Sequence, residues 1–337
     1  MEKIKLIMGK SLPDLPWEPR PKGCGDVVWR YSGNPVIGRN PIKNVVRIFN
    51  GSVLPYEGGY IGVFRGEQRD GIPHIYLGRS KDGFVWGFEQ ERVRLEDTGG
   101  REVCLKYAYD PRLVEIDGTY YFMWCTDNHG ATIGLAKTTD FKRFSIMDNP
   151  FLPFNRNAVL FPRKINGSYI MLSRPSDGGH TPFGDVFLSE SLDLVYWGKH
   201  KHVLAPTGNW WESVKVGGGA VPIETSEGWL LFYHGVTSTC NGFVYSVGCA
   251  LLDRERPWIV RHRSKNFLLT PETAYEERGF VPNVCFPCAA LVDAQTGRIA
   301  IYYGAADSCV ALAFAFLDEI VAYVKDNGMS ADAGSAK

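Results

Sequence analysis

The 337-residue chain has no run of 18 apolar residues, so no helix is expected to span a membrane. Its first ten residues hold an apolar run of only three, Leu6 to Met8, too short for the core of a signal peptide. An excess of charge is also missing. Lysines and arginines number 37 and aspartates and glutamates 37, which argues against nucleic acid or an anionic membrane as partner. Any anion site must then be local, built from a few placed cations. A disulfide framework is not expected either. Most of the eight cysteines sit in apolar runs such as "MWCT" and "VGCALL", as small buried hydrophobes of a reduced, cytoplasmic compartment do. "CFPC" at Cys285 to Cys288 has no second pair, and "GGHTPFGD" offers His180 and Asp185 without metal-ligand spacing, so no metal is expected. "GGG" at Gly217 to Gly219 is not followed by GK[ST] and is no phosphate loop.

What the chain does have is a repeat. A strand, a turn ending in Gly and an aromatic-rich returning strand occur five times: "SVLPYEGGYIGVFR", "PRLVEIDGTYYFMW", "AVLFPRKINGSYIMLSR", "AVPIETSEGWLLFYHG" and "AALVDAQTGRIAIYYG". The turn glycines are Gly59, Gly118, Gly167, Gly228 and Gly297. After each of the first four hairpins comes a short apolar strand, a polar turn and an aromatic, as in "IYLGRSKDGFVWGFE" and "VFLSESLDLVYWG". Each unit thus supplies about four strands, and radial repetition of such units predicts an all-β, five-bladed β-propeller. A β-sandwich also has many short strands but need not repeat a motif at this spacing. Residues 1–46, rich in Pro, Gly and Trp, read as an extension packed on a single propeller domain that runs to residue 327. "LDEIVAYVKD" fits a short helix or a closing strand, and residues 328–337 read as a disordered tail.

In a hairpin the start of the first strand and the end of the second lie at the same end. The starts hold Asn50, Asp110, Arg156 with Asn157, Lys215 and Asn283; the ends hold Arg65, Asp127, Arg174, His234 and Asp307. Radial hairpins bring all of these to one mouth of the central channel, the expected anatomy of a ligand site. Arg156, Arg174 and Lys215, with His234, would repel one another unless an anion sits among them, and arginine forks suit phosphate oxygens. One acid, Asp110, opposite an anion pocket is the layout for attack by bound phosphate on a glycosidic bond. Inverting hydrolysis would need a second carboxylate to deprotonate water.

At these residues the chain resembles the mannoside phosphorylases of glycoside hydrolase family 130. The similar stretches include "IFNGSVLP", "YAYDPRL", "PFNRNAVLFPRKING", "MLSRPSDGGHTPFGD", "GWLLFYHGV" and "GRIAIYYGAAD". They run from roughly Pro16 to Val324 and look most like the branch acting on β-1,4-mannooligosaccharides and mannosyl-N-acetylglucosamine. The resemblance implies a five-bladed propeller with Asp110 as sole general acid, passing its proton through the 3-hydroxyl of the bound mannose. It implies a phosphate pocket of Arg156, Arg174 and Lys215 with His234 nearby. Asn50, Arg65 and Asp307 would hold the mannosyl residue, with Tyr109 a further substrate contact. His180, Phe243 and Phe286 would face the leaving sugar, with Asp177 beside them. At Gly51 the chain departs from the family, which often has a side chain there that can touch the sugar.

The expected reaction is inverting phosphorolysis of a non-reducing β-1,4-mannosyl linkage, releasing α-mannose 1-phosphate and a shortened oligosaccharide or N-acetylglucosamine-type sugar. Inorganic phosphate is the co-substrate, and no cofactor, nucleic acid or membrane is implied. One rival is a β-mannoside hydrolase on the same propeller, with Glu212 or Asp307 as second carboxylate. The other is a carbohydrate-binding propeller without catalysis. The oligomeric state stays open, with the N-terminal extension as the segment that would pack against a neighbour.

Overall fold

Turn chemistry sets the repeat of the fold. The five marker glycines each lie at the turn of an antiparallel hairpin, and Gly118, Gly167 and Gly297 have φ of 76°, 81° and 70°, a left-handed backbone that suits glycine. The structure is a computed structural model that describes residues 4–7, 9–127, 129–176 and 184–330. Its strands form five sheets, one per hairpin, arranged as the blades of a propeller.

Blade one comprises Val45–Tyr56, Gly59–Gln68, Pro73–Ser80 and Gly87–Arg92, with Arg39–Ile42 added beside its first strand. Blade two runs Ala108–Ile116, Thr119–Asp127, Ala131–Thr138 and Phe144–Met147, and two short strands from 95–103 extend its outer edge. Blade three is Asn155–Leu160, Tyr169–Pro175, Val186–Ser191 and Gly198–Leu204. Blade four is Lys215–Gly218, Gly228–Thr239, Gly242–Leu252 and Val260–Ser264. Blade five is Cys285–Val292, Arg298–Ala305 and Cys309–Phe316, completed by Val28–Arg30.

The outer turns repeat as well. Asp82 Oδ1 accepts from the backbone N–H of Phe84 and Val85 at 2.8 and 2.9 Å, and Asp193 Oδ1 accepts from Val195 and Tyr196 at 2.9 Å each. The aspartates of "SKDGFVWG" and "SLDLVYWG" thus tie the turn between third and fourth strands. Between blades lie apolar layers. Trp29, Phe64, Tyr76, Tyr302 and Phe314 are buried between blades five and one, and Phe161, Leu172, Trp211 and Trp229 between blades three and four. Each such side chain contributes roughly 1.5–3 kcal/mol by leaving water.

Two expectations about the chain ends need correction. Residues 1–46 do not merely pack on the propeller. Val28–Arg30 pairs antiparallel with Cys309–Phe316, Trp29 opposite Phe314, so the N-terminal segment closes the ring. This leaves "LDEIVAYVKD" free to be a helix, Leu317–Asp326, burying Leu317, Ile320, Val321 and Val324 on one face. Regular structure also runs past residue 327, because Gly328–Ser330 pairs with Val260–Ser264 on the edge of blade four. The remainder of the expected tail, 331–337, lies outside the described residues.

One irregularity positions the site. In blades one, two and three the first strand carries an extra residue at the same place. Asn50 and Gly51 stand opposite a single residue, as do Asp110 and Pro111, and Asn157 and Ala158. Asn50, Asp110 and Asn157 have φ of 44°, 51° and 54°. Asn and Asp tolerate this left-handed conformation better than other side-chain-bearing residues. Such bulges bend a strand and re-aim a side chain, here toward the axis.

Candidate active site

The bulges deliver their side chains to a well of about 320 Å³ on the axis. Asn50, Arg65, Tyr109, Asp110, Arg156, Asn157, Arg174, Lys215, His234, Phe286 and Asp307 all line it, so the hairpin ends converge as the repeat predicts. Phe243 is not in the lining; its ring lies under the Lys215 ammonium, 4.6 Å from Nζ, and is 46% exposed at the rim. Asp177 and His180 lie outside the described residues. Two mouth positions do not reach the well. Asp127 turns back to accept from the Gly130 N–H at 3.1 Å, and the Asn283 carbonyl accepts from the Tyr245 N–H at 2.9 Å.

The well has two electrostatic halves. On one side Asp110 Oδ1 accepts from Asn50 Nδ2 at 2.9 Å and from Arg65 Nη1 at 3.2 Å. Its Oδ2 takes no bond from the described residues, which leaves that oxygen for the well. Asp307 stands on the same side. Burial pushes its carboxyl up to about 7, with the charges of Asp110 and Glu67 adding to the rise and Arg65 opposing it. Glu212, the other candidate for a second carboxylate, is not at the well. It is fully buried and accepts from Tyr233 and Arg263 at 2.7 Å each.

On the other side stand Arg156, Arg174 and Lys215. Arg156 donates to the Tyr109 hydroxyl and to Ser176 Oγ, both at 3.2 Å. Arg174 is buried and donates from Nη1 to His234 Nε2 at 2.9 Å, while its Nε has no partner among the described residues. Burial lowers the Arg174 pKa, and neighbouring Arg156 lowers it further. Burial together with Arg174 and Arg156 pushes the Lys215 ammonium down to about 8. Among the described residues none of these three cations forms an ion pair with a carboxylate. An uncompensated cluster of this kind is costly unless an anion enters it.

His234 is not a fourth cation. Arginine can only donate, so His234 Nε2 accepts and its proton sits on Nδ1. Burial, then Arg174, Arg112 and Lys215, hold its pKa well below the usual value, so the ring is neutral. It orients Arg174 and adds no charge. Gly217, opposite His234 in the ladder, makes room for both, since a Cβ there would lie 2.4 Å from His234 Cε1 and 2.9 Å from Arg174 Nη1. Of "GGG" only this first glycine makes room around the cations; Gly218 packs against Val159, and Gly219 against Phe232 and Pro287. At Gly51 a Cβ would lie 1.9 Å from Phe64 Cδ1, so this chain has no space there for a sugar-touching side chain.

Sequence reasoning missed Tyr107, Tyr245 and Cys125 in the lining. Tyr107 and Cys125 lie within three residues of Asp110 and Asp127 at the end of the blade-two hairpin but carry no charge to flag them, and Tyr245 comes from the third strand of blade four, opposite Val236. It also passed over Arg112, whose buried guanidinium donates to the carbonyls of Gly219 at 2.6 Å, Pro111 at 3.0 Å and Pro287 at 3.3 Å. That arginine ties blades two, four and five together beneath the well. Among the described residues no cluster of three or more His, Cys, Asp or Glu is placed to hold a metal ion, all eight cysteines are free, and no helix is long and apolar enough to cross a membrane.

Comparison with known proteins finds relatives along nearly the whole chain. The sequence profile of the β-1,4-mannooligosaccharide phosphorylase family matches residues 9–326. A β-1,4-mannooligosaccharide phosphorylase of Ruminococcus albus is 51% identical over 333 residues, covering 96% of this chain and 99% of that protein. A 1,2-β-oligomannan phosphorylase of a Thermoanaerobacter species is 34% identical, over 81% of this chain and 91% of its own. The structure of a β-1,2-mannobiose phosphorylase from Listeria innocua, in complex with β-1,2-mannobiose, superposes with a TM-score of 0.79 at 28% identity, over 89% of this chain and 99% of its own. With the profile spanning nearly the whole chain and half the residues shared with one of its members, the chain belongs to glycoside hydrolase family 130, the mannoside phosphorylases.

Proposed function

We propose that the protein cleaves a non-reducing β-1,4-mannosyl linkage by inverting phosphorolysis, transferring the mannosyl group to inorganic phosphate. The observation that carries this reading is the trio Arg156, Arg174 and Lys215, unpaired with any described carboxylate and facing a well whose other side holds Asp110. Phosphate binds among the three cations. One of its oxygens attacks the anomeric carbon of a mannosyl unit held by Asn50, Arg65, Tyr109 and Asp307. The bond to the leaving sugar breaks, and its oxygen takes the Asp110 proton through the mannose 3-hydroxyl. The products are α-mannose 1-phosphate and the shortened sugar. Because phosphate arrives as an anion, no base is required, and the barrier falls mainly by positioning. General acid catalysis by Asp110 supplies a further ~10²–10⁴ in rate.

The 51% identity to a β-1,4-mannooligosaccharide phosphorylase supports the β-1,4 linkage. The exposed Tyr107 and Phe243 and the lining Phe286 are the platforms for the leaving sugar. Eight unpaired cysteines suit a reduced cytoplasm. The lining carboxylates among the described residues are Asp110 and Asp307, both on one side, which favours phosphate over activated water as nucleophile. The test is to incubate the protein with β-1,4-mannobiose with and without phosphate and to measure mannose 1-phosphate. Equal mannose release in both arms would make it a hydrolase, and no turnover in either would make it a binding propeller.

A further inference from the structure

Arg65 sets a difficulty for the acid. A guanidinium within hydrogen-bond reach of a carboxyl group favours the carboxylate, yet phosphorolysis needs Asp110 to bring a proton. Glu67 lies two residues along the same strand, hence on the same face, and is 2% exposed. Its Oε1 accepts from Arg65 Nε at 3.0 Å and also from Arg65 Nη2. Its Oε2 accepts from Arg47 Nε at 2.6 Å. Arg47 in turn lies 3.8 Å from the ring centroid of Phe280, which is 57% exposed at the rim. The Arg65 guanidinium is also stacked over Phe49 at 4.5 Å and Tyr109 at 5.3 Å. Held this way, Arg65 offers Asp110 one N–H instead of a fork.

We propose that Glu67 is a positioning residue for the reaction: it holds the Arg65 fork off Asp110 and offsets its charge, so that the acid retains its proton until the sugar is bound. This rests on the phosphorolysis reading. Around Asp110 the charged neighbours are Arg65 and Glu67 from one strand, Asp307 from blade five and Arg112 beneath, whose Nη1 lies 3.4 Å from the Asp110 carbonyl. Across the well are Arg156, Arg174 and Lys215. The thiols of Cys125 and Cys288 and the hydroxyls of Tyr109 and Tyr245 face it in neutral form, their pKa values raised by burial. Of these, only Glu67 both bonds to Arg65 through two N–H groups and carries a charge opposing it.

The experiment is kcat against pH on β-1,4-mannobiose at saturating phosphate for wild type, Glu67→Gln and Arg47→Met. Glu67→Gln is expected to move the high-pH limb down by about one unit and cut kcat about tenfold on that limb. Its phosphate KM should stay within about twofold of wild type, since Glu67 bonds to Arg47 and Arg65 and to none of the three cations. Arg47→Met leaves the whole Glu67 charge to Arg65 and moves the limb upward. Limbs that stay in place or move together, or a phosphate KM rising in step with the loss of kcat, would overturn the role of Glu67. Should Glu67→Gln fail to fold, the Arg47→Met limb decides alone, an unmoved limb refuting the role. No phosphate-dependent turnover in wild type would overturn the phosphorolysis reading and this inference with it. Normal wild-type turnover with unmoved limbs overturns the role of Glu67 only.

Discussion

Replacing Lys215 with methionine should make the phosphate-free protein more stable. The Lys215 ammonium is pushed from 10.5 to about 8 by burial and by Arg174 and Arg156. At 1.36 kcal/mol per unit that is about 3 kcal/mol of unfavourable charge as an upper bound, reduced by solvent screening in an open well. The unfolded lysine keeps its proton to higher pH than the folded one. Stability therefore rises with pH between about 8 and 10.5, and the full penalty applies below pH 8. Methionine gives up the cation–π contact to Phe243, worth about 0.5–1 kcal/mol, less than the charge penalty it removes. For a chain this long the net gain corresponds to a Tm higher by roughly 2–4 °C at pH 7. Thermal unfolding with and without saturating phosphate measures it. Phosphate should raise the Tm of wild type well beyond that of Lys215→Met, because the anion removes a repulsion that the variant lacks. A variant melting at or below wild type without phosphate, or equal phosphate gains in both, would refute the idea that the cations are poised for an anion.

Three other perturbations separate the roles of the site. Asp110→Asn keeps a residue that tolerates φ near 51° and should fold, but phosphorolysis should fall at least ~10²-fold; near-normal turnover would remove Asp110 as acid. Gly217→Ala drives a methyl into His234 and Arg174, an overpacking cost of about 1–3 kcal/mol, and should raise the phosphate KM more than the mannoside KM in initial-rate measurements. Asp307→Asn mimics the protonated acid. The folded carboxyl titrates near 7 and the unfolded one near 3.8, so wild type loses stability as pH rises across that window. The variant should match wild type in unfolding free energy near pH 4 and exceed it at pH 8 by at most about 4 kcal/mol, read from denaturant melts, while losing activity. An identical pH dependence in both proteins would contradict the burial of that charge.

Much of this architecture was legible in the sequence because hairpin turns advertise themselves. Gly118, Gly167 and Gly297 are demanded by left-handed turns, and counting turns gave the blade number. Reading from each turn to its two strand ends then located Asp110, Arg156, Arg174 and Lys215. Closure escaped because Val28–Arg30 is three residues long and carries no pattern of its own; only its pairing with Cys309–Phe316 makes it a strand. The charge of His234 escaped because it depends on the bond from Arg174, a contact 60 residues away in sequence. Glu67 and Arg112 looked like ordinary strand residues, and a buried ion pair or a guanidinium capping carbonyls leaves no local signature. Asp127 shows the reverse error: its position at a strand end was right, but a nearby N–H in its own turn captured the carboxylate.

The ring is fastened by a strand from the first thirty residues lying against one from the last thirty. The binding cup is therefore closed only once Cys309–Phe316 has met Val28–Arg30, a partner made long before it. The well that sets Asp110 against Arg156, Arg174 and Lys215 is lined by residues of all five blades. Shortening the chain beyond Val28 would not trim a decoration. It would open the ring on whose two sides Asp110 and the three cations stand.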